Sequence, residues 1–79
     1  MGEQLPLCSS REVEAAIKRL GFSKDRSTAG SHQCYSRAID GRTYTTVVPI
    51  GKKQLPRGTL RKILELGNIG MQEFVAALR

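Results

Sequence analysis

Asp40-Gly41 constrains the fold of this chain more than any other pair of residues. Both are residue types that accept positive φ, which a two-residue hairpin turn with the right-handed twist of its strands requires. After it, Arg42 to Ile50 carries Thr43, Tyr44, Thr45, Thr46, Val47 and Val48, a β-branched and aromatic run suited to a pleated strand. Before it, Gln33 to Ile39 supplies the partner. The tight turn makes the pair antiparallel and fixes its register. Pro49 lacks a backbone donor and so belongs at a strand end or an edge.

Helices flank this hairpin. Ser9 followed by Glu12 is a capping-box pattern, and Val13, Ala16, Ile17 and Leu20 then make one apolar stripe. Gly21 ends that helix. Phe22 to Arg26 reads as a short polar strand, and the small residues from Ser27 to Ser31 as a turn. Gly51 to Gly58 is a basic loop. Thr59 is positioned to cap a second helix with Leu60, Ile63, Leu64 and Gly67 on one face, and Asn68 suits the left-handed residue that ends it. Gly70 opens a last helix bearing Met71, Phe74, Val75 and Leu78. The expected fold is α+β: an α-β-β-β-α-α chain whose three-stranded antiparallel sheet carries its helices on one face.

With 79 residues the chain forms one domain over 1–79, with 1–8 expected to be a flexible N-terminal extension. A domain of this size buries only about 60 % of its unfolded surface, so the core is modest. No apolar run is long enough to span a membrane, and the first residues lack the features of a secretory signal, which points to the cytoplasm. There Cys8 and Cys34 are expected as free thiols. One histidine and two separated cysteines cannot build a metal site from His and Cys alone, and no cofactor is expected.

Charge narrows the function. The net charge is +6, yet the stretch from Lys24 to Lys62 alone holds nine Lys and Arg against two Asp, a net of +7. This suggests a polyanion-binding surface, with a merely solvated basic face as the alternative. Lys24, Arg26, Lys52, Lys53, Arg57 and Arg61 are candidate phosphate contacts. Gly51-Lys52-Lys53 lacks the spacing of a nucleotide-triphosphate loop, so no nucleotide cofactor is expected.

His32 is the only side chain with an ordinary pKa near neutrality, and it lies inside the basic stretch, after Gly30 and Ser31. Gly30 permits close approach of a ligand, and Ser31 offers a hydroxyl and an N–H. RNA carries its own nucleophile, the 2′-hydroxyl, so one base beside cationic groups suits RNA cleavage better than DNA cleavage. A histidine that merely packs is the plainer alternative. Phe22 and Phe74 are expected in the core. Tyr35 and Tyr44 are candidates for base stacking or for the sheet, and neither face of the second strand is cleanly apolar.

From Ser10 to Leu78 the chain resembles the HicA family of toxin–antitoxin modules. The resemblance rests on Leu20-Gly21-Phe22, Gly30-Ser31-His32 with Tyr35 after it, Val48-Pro49, Leu55, Gly58-Thr59-Leu60-Arg61, Ile63-Leu64, Ile69 and Glu73-Phe74, in this order and spacing. It implies a fold like a double-stranded-RNA-binding domain and a ribonuclease that cuts messenger RNA, with His32 as the active-site residue. It also implies a HicB-like antitoxin that covers His32. Family members often carry a second histidine after the third-strand proline. Here Ile50 and Gly51 stand there, so a lysine, an arginine or water would assist the leaving oxygen. A non-catalytic RNA-binding domain and a small partner of an acidic protein are the competing readings.

Overall fold

The computed structural model describes residues 5–79, with backbone alone at 27–29. Its elements run α1 (Ser10–Arg19), β1 (Ser23–Ala29), β2 (His32–Ile39), β3 (Arg42–Pro49), α2 (Arg57–Leu66) and α3 (Met71–Ala77). The strands form one antiparallel sheet in the order β1-β2-β3. The expected α+β layout is the observed one. Among the described residues no helix is long and apolar enough to cross a membrane.

The hairpin turn takes φ of 49° at Asp40 and 79° at Gly41, as a turn that follows strand twist demands. It sets Ile39 opposite Arg42 and carries the register without a break to His32 opposite Pro49. Side chains therefore sort by parity. Gln33, Tyr35, Thr46 and Val48 point toward the helices and are buried. His32, Cys34, Ser36 and Ala38, with Thr43, Thr45, Val47 and Pro49 opposite them, form the outer face. Buried polar groups on the inner face find partners: Thr46 Oγ1 donates to the Ile63 carbonyl of α2 at 2.7 Å, and Tyr35 Oη donates to Glu14 Oε2 of α1 at 2.8 Å.

Strand β1 is longer than expected. It runs through Ala29, and the turn narrows to Gly30 and Ser31. Its register against β2 slips between Lys24 and Thr28, and Gln33 Nε2 donates to the Asp25 carbonyl inside that irregularity at 2.7 Å.

Helices α1 and α2 end in the same way. In α1, Phe22 N donates to Ile17 O and Gly21 N to Lys18 O, around Gly21 at φ 101°. In α2, Ile69 N donates to Leu64 O and Asn68 N to Glu65 O, around Asn68 at φ 55°. Both are Schellman turns, with the residue after the left-handed position packing inward. Both glycine-or-asparagine stops were expected, with Gly21 one place beyond the cap residue Leu20. The start of α2 differs from expectation. It begins at Arg57 after Pro56, not at a Thr59 cap, because Pro56 enters at φ −58° and supplies no side-chain cap.

Arg37 joins the two helix ends. Its Nη1 donates to the Leu20 carbonyl at 3.0 Å and its Nη2 to the Asn68 carbonyl at 3.4 Å. The guanidinium also lies 4.7 Å from the centre of the Phe22 ring and 3.3 Å from Glu73. A positive charge thus sits at the negative ends of both helices.

The core comprises Val13, Ala16, Ile17, Phe22, Tyr35, Val48, Leu55, Leu60, Ile63, Leu64, Ile69 and Phe74, together with Leu5 and Cys8. The last two correct the expectation of a flexible extension. Leu5 and Cys8 are 3 % and 2 % exposed, and their segment is held by Leu55 N to Cys8 O, Ser10 N to Lys52 O and Arg57 Nε to Leu5 O. Residues 1–4 of that expectation lie outside the described residues. Phe22 and Phe74 are core residues, as expected, and Cys8 and Cys34 are free thiols.

Candidate functional site

The domain has two unlike ends. At one lie the Asp40-Gly41 turn, the C-termini of α1 and α2, and Arg37. At the other lie the Gly30-Ser31 turn, His32, the end of β3, the loop after it, and the N-termini of α1 and α2. This second end follows from connectivity: β3 stops opposite His32, and only a short loop separates it from α2. The loop is clipped to the start of α1, where Lys52 N donates to Ser10 Oγ at 3.0 Å and Lys52 O accepts from Ser10 N at 2.9 Å.

His32 opens β2 on the outer face, exposed, with Ala29 and Pro49 as its strand neighbours. Among the described residues its side chain makes no hydrogen bond or ion pair. Gly30 takes φ 61°, and nothing lies within 4 Å of where a β-carbon would stand, so the turn beside His32 is open. Ser31 fastens the turn to the far strand by accepting from Ile50 N at 2.6 Å. An imidazole here is reachable by a bulky ligand, and neither ring nitrogen is engaged by a partner among the described residues.

The candidate cations divide. Lys52 and Lys53 are exposed on the loop that begins beside Ser31. Arg57 opens α2 at the same end, but its Nε is engaged by the Leu5 carbonyl at 2.9 Å, which leaves its terminal nitrogens for a ligand. Arg61 lies a turn farther along α2, exposed. Lys24 and Arg26 are exposed on the edge strand β1, with Lys24 opposite Tyr35, three residues along β2 from His32. Two members of the basic stretch stand apart. Arg42 sits at the distal hairpin, and Arg37 is consumed by the helix ends, so neither adds to the charge around His32. Arg37 is ion-paired with Glu73. Lys24, Arg26, Lys52, Lys53 and Arg61 are exposed and show no ion pair among the described residues.

Sequence reasoning missed the cleft beside this end. It has a volume of about 380 Å³ and is lined by Ser9, Ser10, Arg11, Glu14, Ile50, Gly51, Lys52 and Lys53. Arg11 and Glu14 fall outside the basic stretch, and only their spacing of one helical turn hinted that they share a face. Tyr35 forms its inner support. Burial, then the hydrogen bond to Glu14, then that carboxylate's charge, push the phenol far above its ordinary range. Tyr35 stays protonated at neutral pH and donates its hydrogen bond to Glu14. It is 1 % exposed, which removes it as a stacking platform.

Taken together, these features define a small basic α+β domain with one open histidine at a cationic end. The chain belongs to the HicA family: the family described as HicA toxin of bacterial toxin-antitoxin matches residues 10–69. It is the toxin of a toxin–antitoxin system, in which HicA toxins partner with HicB antitoxins. No curated protein matches the chain.

Proposed function

We propose that this toxin is an endoribonuclease that cleaves messenger RNA, with His32 as its general acid/base and no metal. The observation that carries the reading is His32 itself, its side chain exposed and unpartnered among the described residues, at the end where exposed cations gather. His32 accepts the proton of the substrate's 2′-hydroxyl. The oxygen attacks the adjacent phosphorus, the bond to the 5′-oxygen breaks, and that oxygen takes a proton from water, a lysine or an arginine. The products are a 2′,3′-cyclic phosphate and a 5′-hydroxyl.

Lys24, Arg26, Lys52, Lys53, Arg57 and Arg61 hold phosphates, and Gly30 and Ser31 let the backbone come close to the chain being cut. Cationic groups placed at the phosphorane offset charge where it develops. A HicB-like antitoxin inhibits by covering His32 in the cytoplasm.

The test is RNA cleavage in EDTA by the native protein and by His32→Ala. Loss of one positioned acid–base group lowers rate by about 10² to 10⁴, while RNA binding persists. Mass spectrometry should find cyclic or 3′-phosphate ends. Products with 3′-hydroxyl ends, or full activity in His32→Ala, refute the mechanism. Binding without any cleavage by the native protein would instead favour a non-catalytic RNA-binding domain.

A further inference from the structure

The cleft beside the His32 end combines three chemistries that a plain phosphate-binding surface does not need together. Ile50, 42 % exposed, gives an apolar wall. Arg11, Lys52 and Lys53 place cations around it. Within this cationic rim stands the Glu14 carboxylate, which pairs with none of them. Its only hydrogen bond among the described residues comes from the buried Tyr35 hydroxyl, which uses Oε2 and leaves Oε1 unengaged. A carboxylate held by a rigid donor below, and open above, is a preorganised acceptor for donors on a ligand. The clips between Ser10 and Lys52 fix the width of the opening without any ligand.

We propose that this cleft binds one unpaired nucleotide of the RNA substrate and prefers guanine. The inference rests on the reading of the chain as a ribonuclease. Single-stranded RNA is read by proteins through the Watson–Crick edges of splayed bases. Guanine is the natural base that presents two adjacent donors there, the ring N1–H and the 2-amino group, and a carboxylate accepts both at once. The Ile50 side chain covers the ring face, and Arg11, Lys52 and Lys53 hold the phosphate. The cleft volume of about 380 Å³ falls within the usual range of small-ligand sites, roughly 300–1,000 Å³. Position supports the same occupant. Ile50 donates to the Ser31 carbonyl, so the cleft begins one residue from His32 across the strand pair. A chain whose scissile phosphate lies at His32 passes directly to it.

The experiment is an NMR titration of the full chain with each of the four 5′-mononucleotides, read at the amides of residues 9–14 and 50–53. All four should shift the Lys52 and Lys53 amides. The guanine nucleotide should bind about tenfold more tightly than the others, the discrimination expected of one bidentate contact. Inosine monophosphate, which lacks the 2-amino group, should lose most of that advantage. Glu14→Gln keeps an acceptor for Tyr35 and should abolish the preference, so that guanosine and uridine monophosphates bind alike; Tyr35→Phe should reduce the preference and not the phosphate contribution. A thermal melt of each variant reports folding. Equal binding of the four nucleotides, a preference that survives Glu14→Gln, or shifts confined to other surfaces would overturn the proposal. Because no bond is cut in this measurement, a guanine preference in a protein that fails to cleave RNA would sink the ribonuclease reading and leave the subsite standing.

Discussion

Replacing Arg37 tests how far a charged side chain holds this small domain together. The bond to the Leu20 carbonyl is the dominant contribution, at 3.0 Å and partly buried. A hydrogen bond to a charged group contributes about 1.5–3 kcal/mol. The guanidinium over Phe22, largely shielded from water, adds about 1 kcal/mol. The Glu73 pair contributes less, about 0.5 kcal/mol, because its carboxylate is 42 % exposed. Against these stands Arg37 Nε, buried with no partner among the described residues, which costs about 1 kcal/mol. Arg37→Met keeps the stem and should therefore destabilise the fold by about 2–3 kcal/mol. For a domain of this size that lowers the melting temperature by about 10–20 °C. Urea unfolding followed by circular dichroism measures it. Glu73→Gln should cost no more than about 0.5 kcal/mol, and salt should hardly change the Arg37 effect. If Arg37→Met melts with the native protein, or if Glu73→Gln matches it, the helix-end account is wrong.

The other expectations concern charge, thiols and pH. Alanine at both Lys52 and Lys53 should weaken RNA binding for every sequence and flatten the salt slope by about one to two units, read in a salt titration. A thiol reagent at neutral pH should label Cys34 and spare Cys8, whose thiol is pushed up by burial and by Glu12; mass spectrometry locates the label, and both should react once the protein is unfolded. Tyr35 is held above its unfolded value of about 10, so it contributes stability that is complete below about pH 10 and is lost as pH rises beyond it. Tyr35→Phe should make the alkaline decline shallower in unfolding curves taken across that range.

Much of the architecture was legible where structure is local. Asp40-Gly41, the Ser9–Glu12 box and Asn68 each satisfy their requirement within a few residues, and each is found where the sequence implied it. Apart from the start of α2, set by Pro56 next to it, the misses depend on distant partners. The residues of β1 have no alternation to announce a strand through Ala29; pairing with β2 imposes it. Leu5 and Cys8 look like a loose end until Leu55 and Arg57 are placed beside them. Arg37 counts as one more positive charge in a linear tally, yet the fold spends it on two helix ends. That His32 lies within a basic stretch is read from the order of residues, and its exposure from the structure. Glu14 was not legible, since its meaning comes from Tyr35 beneath it and the loop opposite.

The strap from Leu5 to Ser10 has a consequence for the order in which the molecule is made. Its partners lie 42 residues away for Ser10 and Lys52, and 52 for Leu5 and Arg57. The strap leaves the ribosome before these partners do and stays without the last of them until Arg57 has followed. The clips on the loop carrying Lys52 and Lys53 wait for Lys52 and Leu55 to be made, although the hairpin before it closes locally and fast. Closing so long a loop costs more entropy than closing a turn, so the buckle forms after the sheet. The His32 end of the toxin is thus finished only after the sheet, and a nascent chain that stops short of α2 has its histidine in place without the finished surface around it.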